Sequence, residues 1–317
     1  MFQIDVVIVG GGPAGLNAAL TLGRARRRVL LVDSGQPRNA PAQAVHGFLS
    51  RDGTPPAELR RIGRQQLTPY PTVEVRDTEV VAVDALGETG GGGFVVTLAD
   101  QSVTRTRRLL LATGLVDQLP PIDGLAELWG RSVLHCPYCH GFEVQGQALA
   151  VLGSDPRAIQ LAAHLTRFSP DVALCTNGAP LDAESLQLLT AIGVAVRTEP
   201  IQRLDGDGGT LRRIVFTAGL PLARQAAFVR APYRQRSDLP VRLGCALLED
   251  GTVAVDDFGR TSVPGVFAAG DLARRPSLPF AAAQVVMAAA AGATAAVAID
   301  QGLLADDLQA HRQPSAA

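Results

Sequence analysis

The sequence predicts an α/β protein built from two three-layer domains, the first interrupted by the second. Three observations carry this expectation. A β-branched run, Ile4 to Val9, ends directly in Gly10-Gly11-Gly12-Pro13-Ala14-Gly15. The same strand–turn–helix pattern recurs in weaker form from Ala148 to Phe168. The chain has 317 residues, 47% of them hydrophobic and 19% charged, a globular balance long enough for two ordinary domains.

Ile4 to Val9 has no helical period and reads as a buried strand. Leu16 to Leu22 reads as helix and Val29 to Val32 as a second buried strand, closed by Asp33. The unit is a βαβ motif with G-x-G-x-x-G at Gly10, Gly12 and Gly15 and an acid 18 residues after the last glycine. The first glycine permits the turn, the second lets backbone approach a pyrophosphate, and the third brings helix against strand. The helix N-terminus then faces the phosphates, and Asp33 accepts a bond from a ribose hydroxyl. Gly10, Gly12, Pro13, Ala14, Gly15 and Asp33 are therefore the candidate dinucleotide contacts of a Rossmann-type domain.

Gly87 to Gly93, between the strand-like runs Val80 to Val83 and Phe94 to Leu98, reads as a hairpin tip without chemistry, and Asp205 to Gly209 has the same character. In the second βαβ unit, Ala148 to Leu152 is the strand, Gly153-Ser154-Asp155-Pro156-Arg157-Ala158 the turn, and Ile159 to Phe168 the helix. Only the first glycine survives. Asp155 stands at the second glycine's position, placing a carboxylate where a pyrophosphate would lie. The next strand, Val172 to Cys175, ends in Thr176-Asn177-Gly178 with no adjacent arginine for a 2′-phosphate. The fold signal repeats and the ligand signal does not. Pro120-Pro121 and Pro240 are the expected crossings between a discontinuous first domain and its insert. Ala281 to Ile299, mostly alanine and broken by Gln284 and Thr294, reads as a buried helix rather than a membrane span. The tail after Leu308 reads as frayed.

All 29 basic residues are arginine, set against 30 acidic ones for a formal charge of −1. No whole-chain field favours nucleic acid or an anionic membrane. The absence of lysine excludes lysine Schiff-base chemistry and the P-loop's phosphate lysine. Four cysteines, at 136, 139, 175 and 245, are too few for a disulfide scaffold. No signal segment is read ahead of the first apolar run, so the cytoplasm is the expected compartment. Cys175 and Cys245 read as core thiols.

The most informative stretch is His135-Cys136-Pro137-Tyr138-Cys139-His140-Gly141. Cysteines three apart on an incipient helix share a face, and Pro137 suits the first helical position, which puts Cys136 at the N-cap. The helix end lowers a thiolate's pKa and the flanking histidines move protons, so the pair can cycle between dithiol and disulfide. Other readings stand beside this one. C-x-x-C-H is a haem attachment pattern, but it requires an export route. Zinc needs two further ligands, for which the isolated Cys175 and Cys245 and the adjacent histidines are awkward. Two unreactive buried cysteines are the bland alternative. No metal site is expected. His140 is the proton-transfer candidate against a plain surface histidine; His135 divides between chemistry and bonding a backbone carbonyl. His46 reads as a residue without chemistry, a flavin-side or substrate-side role being the alternative; His164 and His311 read as surface residues.

Gly10 to Gly15 with Asp33, Leu111-Ala112-Thr113-Gly114, the C-x-x-C, and Thr261 to Asp271 ending Ala269-Gly270-Asp271 together resemble low-molecular-weight thioredoxin reductases over nearly the whole chain. The resemblance implies FAD on the first Rossmann unit, with Thr113, Gly114, Gly270 and Asp271 among its contacts and Gln284, in the following helix, near the isoalloxazine. It implies a homodimer, and an insert that carries the C-x-x-C. By the same likeness Cys139 is the flavin-proximal cysteine and Cys136 exchanges with substrate. The chain departs from those reductases at Asp155 and Thr176-Asn177, which makes NADPH a doubtful cofactor. It departs again at His140, where they carry an aspartate. His135 to Glu143, together with His46 to Pro55, is more similar to the dithiol oxidases of the gliotoxin and holomycin type, which pass electrons from dithiols through FAD to oxygen.

The expected protein is thus an FAD-dependent thiol–disulfide oxidoreductase. Its FAD domain spans residues 1–117 and 246–317, and a degenerate nucleotide-binding-like domain spans 118–245. Its partner is a dithiol or disulfide, either a small molecule or a thioredoxin-like protein. The alternatives are a thioredoxin-disulfide reductase fed by NADPH or by another donor such as ferredoxin, and a redox-responsive flavin-binding protein without turnover.

Overall fold

The computed structural model describes residues 4–87, 92–280 and 283–312. The chain divides into two compact units, one of Met1–Arg38, Ala57–Val116 and Arg234–Ala317, the other of Asn39–Pro56 and Asp117–Tyr233. The first stretch supplies β1 (Ile4–Val9), α1 (Pro13–Arg24), β2 (Val29–Val32), α2 (Pro56–Gln65), β3 (Val73–Arg76), β4 (Val80–Ala85), β5 (Phe94–Leu98) and β6 (Val103–Leu111). There follow β7 (Val133–Leu134), α3 (Pro137–His140), β8 (Leu149–Leu152), α4 (Pro156–Leu165), β9 (Val172–Cys175), α5 (Ala183–Ala191), β10 (Ala195–Arg197), β11 (Ile201–Asp207), β12 (Thr210–Phe216), β13 (Leu222–Ala223) and β14 (Ala226–Val229). The chain then returns to the first unit for β15 (Val266–Ala268) and α6 (Val285–Arg312).

In the first unit β3, β2, β1, β6 and β15 pair in parallel in that order, with Val7 opposite both Leu30 and Leu109. Strand β6 changes partners along its length. Its first half pairs antiparallel with β5, Phe94 facing Thr106, and its buried Leu109, Leu110 and Leu111 lie between β1 and β15. The β4–β5 hairpin forms as expected, with Ala85 opposite Phe94; residues 88–91 of its tip lie outside the described residues.

One face of this sheet is covered by α1 and α6, in a cluster that joins Val6, Ile8, Leu22, Leu31, Ala295 and Ile299. Gly292 permits the close approach: a Cβ there would lie 2.0 Å from the Ala14 carbonyl oxygen. The helix is therefore one-sided, not buried throughout. Met287, Val297, Leu304 and Leu308 are exposed while Ala288, Gly292, Ala295, Ile299 and Leu303 are not. It also runs past Leu308 to Arg312, tethered by Arg27 to Asp300 at 2.6 Å and Arg107 to Asp307 at 2.7 Å, so the expected fraying does not begin there. Residues 313–317 lie outside the described residues.

The second unit shows the three layers directly. Strands β10, β9, β8, β14 and β7 form a parallel sheet, and β11, β12 and β13 an antiparallel one. Along β8, Leu149 and Val151 join the helix-side cluster with Ala158, Leu161 and Leu165. Ala150 and Leu152 join Ile201, Leu204, Leu211 and Ile214 of the antiparallel sheet. A strand covered on both faces is apolar at every position, which is why it reads as an unbroken hydrophobic run. The Asp205–Gly209 turn is the β11–β12 hairpin tip, Asp207 pairing with Thr210.

The units differ from the expected division at two places. Residues 39–56 belong with the second unit, where Val45 is buried and pairs with Thr54, and Pro41 abuts Gly130. The first unit resumes at Arg234 rather than 246, because Arg236 N–H bonds the Gly114 carbonyl and Gln235 bonds the carbonyls of Gly251 and Leu272.

Candidate active site

The turn between β1 and α1 is tight for two separate reasons. Gly10 has φ +113°, and a Cβ there would lie 2.2 Å from the Ala112 carbonyl oxygen; one on Gly15 would lie 1.9 Å from the Gly10 carbonyl oxygen. Those glycines bring strand and helix together. Gly12 is different, since nothing lies within 4 Å of its Cβ position. It caps α1 without a side-chain bond, and Pro13 opens the helix, so the first N–H groups are left for an anion.

Around this turn stand the other expected contacts of the first unit. Asp33, buried at the end of β2, accepts bonds from Arg60 at 2.6 Å, Arg64 at 2.8 Å and the Gly35 N–H at 3.2 Å. Burial alone would raise its pKa, but the bonds from Arg60 and Gly35 and the charge of Arg60 hold it below the ordinary carboxylate range. Oδ1 carries only the longest of these bonds and keeps acceptor capacity for a hydroxyl. Thr113 Oγ1 is buried with no hydrogen-bond partner among the described residues. Gly114 and Gly270 have positive φ, Gly270 lies against Ala14, and Asp271 pairs with Arg38 at 3.0 Å. An open glycine, an uncapped helix start and an orphaned buried hydroxyl fit a bound dinucleotide. Gln284 lies just ahead of α6 rather than within it, its carbonyl accepting the Ala288 N–H and its side chain exposed.

The corresponding turn of the second unit is closed by its own side chains. Asp155 caps α4, its carboxylate accepting the Ala158 N–H at 2.7 Å. Thr176 is buried and donates to the Ala179 carbonyl at 2.6 Å, and Asn177 accepts the Ile201 N–H at 2.7 Å. Arg197, at the end of the neighbouring strand, pairs with Glu199 at 2.8 Å and lies over the Phe216 ring.

Cys136 and Cys139 are disulfide-bonded across α3, with Cα atoms 5.3 Å apart. Cys136 is the N-cap and Pro137 the first helical residue, as the spacing predicts. The helix is a single turn, in which the Cys136 carbonyl accepts the N–H groups of Cys139 and His140. Gly141 ends it under steric necessity: a Cβ would lie 2.5 Å from the Pro137 carbonyl oxygen and 2.9 Å from the Phe168 ring. Tyr138 is exposed and packs edge-on against His164, which touches Phe168. His164 thus supports this turn from α4 and is no idle surface residue. His135 stacks on Trp129 with ring centroids 5.8 Å apart.

Both ring nitrogens of His140 are buried and have no hydrogen-bond partner among the described residues. Burial first, then the neighbouring His46, hold its pKa below the ordinary histidine value against the opposing pull of Glu143. His46 packs edge-to-face on it with centroids 6.1 Å apart. Sequence reasoning set His46 aside and did not single out Arg38, Arg60, Arg64 or Glu143. Cys175 and Cys245 are buried free thiols as expected, Cys175 pushed up to about 12 by burial.

The pattern of the pyridine nucleotide-disulphide oxidoreductase family matches residues 4–302. The chain is 36% identical over 284 residues to thioredoxin reductase tcpT of Claviceps purpurea, covering 84% of this chain and 86% of that protein. It is 34% identical over 287 residues to thioredoxin reductase aclD of Aspergillus oryzae, covering 84% and 88%. The crystal structure of HlmI superposes with a TM-score of 0.89 at 42% identity, covering 97% of this chain and 95% of that one. The chain belongs to the pyridine nucleotide-disulphide oxidoreductase family, and it is a thioredoxin reductase-like disulfide oxidoreductase for which that family implies FAD.

Proposed function

We propose that the enzyme oxidises dithiols to disulfides, with Cys136–Cys139 as the exchanging pair, FAD as the electron acceptor and oxygen as the final one, and without NADPH. The observation that carries this reading is the Asp155 carboxylate on the Ala158 N–H. A dinucleotide site needs that helix start bare, and a pyrophosphate there would meet a carboxylate instead. Thr176 and Asn177, bonded to their own backbone, and Arg197, paired with Glu199, add no phosphate ligand. The residues present do not fit NADPH.

FAD would be held by the Gly10–Gly15 turn, Asp33, Thr113, Gly114 and the Gly270–Asp271 segment braced by Arg38. When bound it supplies a two-electron acceptor. The chain's own residues do the exchange. A substrate thiolate attacks Cys136 and releases Cys139 as thiolate; a second substrate thiol resolves the mixed disulfide. His140, shielded and with its pKa lowered by burial, accepts the thiol protons. The partner is a small dithiol, with a thioredoxin-like disulfide protein as the counterpart in the reverse direction. The reading places the enzyme in the cytoplasm, supported by the unpaired Cys175 and Cys245. It takes the assembly as a homodimer, supported by the exposed stripe of Met287, Val297, Leu304 and Leu308 on α6.

An anaerobic titration of the purified flavoprotein tests this. Dithiothreitol is expected to bleach the flavin, air to restore it, and NADPH to leave it unchanged. Rapid bleaching by NADPH would overturn the reading in favour of a reductase; bleaching by neither, with flavin bound, would leave a flavin-binding protein without turnover.

A further inference from the structure

His46 lies in the Asn39–Pro56 segment of the second unit, far in sequence from the cysteine pair, yet its ring meets that of His140 edge to face. Both of its nitrogens face carboxylates: Nδ1 is 3.5 Å from Asp52 Oδ1, and Nε2 is 3.5 Å from Glu143 Oε1. The His46 side chain is mostly buried, whereas Asp52 is open to solvent and Glu143 partly so. The segment is itself fixed, since Asp52 accepts the Gly47 N–H at 2.7 Å and Val45 and Thr54 close the loop.

We propose that His46 is a positioning residue for proton transfer by His140: braced by Asp52 and Glu143, it holds the His140 ring in place and, when protonated, opposes a second positive charge on that ring. This rests on the reading of His140 as proton acceptor. The titratable groups facing His140 are His46 and Glu143; those facing His46 are Asp52, Glu143 and His140. Two imidazolium rings in contact repel, so one proton is favoured over two. Both carboxylate contacts lie on His46 and none on the ring nitrogens of the shielded His140.

The chemistry requires His140 to be receptive twice per turnover. The first substrate thiol gives its proton to His140, and its thiolate bonds to Cys136 Sγ as the Cys136–Cys139 bond breaks and Cys139 leaves as thiolate. His140 releases that proton to solvent, the second thiol gives up its own by the same route, and its thiolate attacks the substrate sulfur of the mixed disulfide and releases the Cys136 thiolate. The substrate has then lost two protons and two electrons, and the enzyme pair holds the electrons as a dithiolate. When His46 is protonated its charge opposes protonation of His140, in line with the lowered pKa of His140.

The test is anaerobic single-turnover reduction of the holoenzyme by dithiothreitol, followed by flavin absorbance at pH 6 and pH 8. Relative to the unaltered enzyme, His46→Gln is expected to lower the ratio of the pH 6 to the pH 8 rate by about twofold to fivefold, because losing the opposing charge raises the His140 pKa. His46→Arg, which keeps a cation, restores the ratio. Asp52→Asn, on an exposed turn, lowers the ratio in the same direction while retaining the ring, and serves where the His46 variants fail to fold. A uniform loss of rate with an unchanged ratio in His46→Gln or Asp52→Asn would overturn the proposal. His140→Ala separates the two claims: if it keeps the unaltered pH dependence, His140 is not the acceptor, and the reading beneath the proposal fails first.

Discussion

The Asp155 carboxylate accepts the Ala158 N–H at 2.7 Å, so the second unit caps with its own side chain the helix start that a nucleotide site leaves bare. Asp155→Ala is expected to remove that cap and lower stability by about 1 kcal/mol. Dithiol-driven bleaching of the flavin should remain within about twofold of the unaltered rate, since a cap acts on the helix and not on the exchange. Denaturant titration and the anaerobic rate measure both. A large loss of dithiol activity at unchanged stability would place Asp155 in the reaction itself.

The first βαβ unit was legible because each cue has a local cause. Strands β1, β2, β5 and β9 match their apolar runs at both ends, being buried from end to end or alternately. Helices α1 and α4 begin ahead of their apolar periods because Pro13 and Pro156 occupy first helical positions, which have no need of an N–H. The sidedness of α6 was not legible, since alanine counts as hydrophobic on every face and only the approach of Ala14 to Gly292 marks the inner one. The placement of residues 39–56 was hidden for another reason. That segment is polar and aperiodic, and the contact of His46 with Glu143 and His140 joins positions with no local relationship. The cysteine pair was legible, and its surroundings were not.

Gly141 sets the shape of the redox turn. A Cβ there would stand 2.5 Å from the Pro137 carbonyl oxygen and 2.9 Å from the Phe168 ring, so either the single helical turn opens or the ring moves. Gly141→Ala is expected to cost about 1–3 kcal/mol and to slow dithiol exchange by about tenfold or more, because small displacements of reacting groups are kinetically expensive. Flavin content should stay at the unaltered level, since the Gly10–Gly15 turn belongs to the other unit. Loss of flavin together with activity would point to general misfolding instead.

Reactivity should separate the four cysteines cleanly. Burial pushes the Cys175 thiol up to about 12 and raises Cys245 as well, so neither offers thiolate at neutral pH. In the native protein, iodoacetamide at pH 7.5 is expected to add nothing before reduction and two carbamidomethyl groups after it, on Cys136 and Cys139, as read by peptide mass spectrometry. Cys175 labels only after denaturation. Labelling of Cys175 in the folded, oxidised protein would contradict its buried position in β9.

Asp33 ties the nucleotide turn to α2 through Arg60 and Arg64, and the tie has a definite pH dependence. Its folded pKa lies below the ordinary value despite burial, owing to bonds from Arg60 and Gly35 and to the charge of Arg60. A carboxylate with a depressed folded pKa contributes stability that is fully present above its unfolded pKa, about 3.9, and is lost as pH falls through the folded value. Asp33→Asn is therefore expected to cost about 1.5–3 kcal/mol at pH 7, the range for hydrogen bonds to charged groups. The cost is not relieved elsewhere, because the Nε atoms of Arg60 and Arg64 are already buried without partners among the described residues. Below pH 4 Asp33 begins to protonate in the unfolded chain ahead of the folded one, and the gap between the two proteins should narrow. Urea unfolding at pH 7 and at pH 3.5, each with flavin content measured, reads both effects. A gap of the same size at the two pH values would assign the cost to packing of the amide in place of the carboxylate's charge.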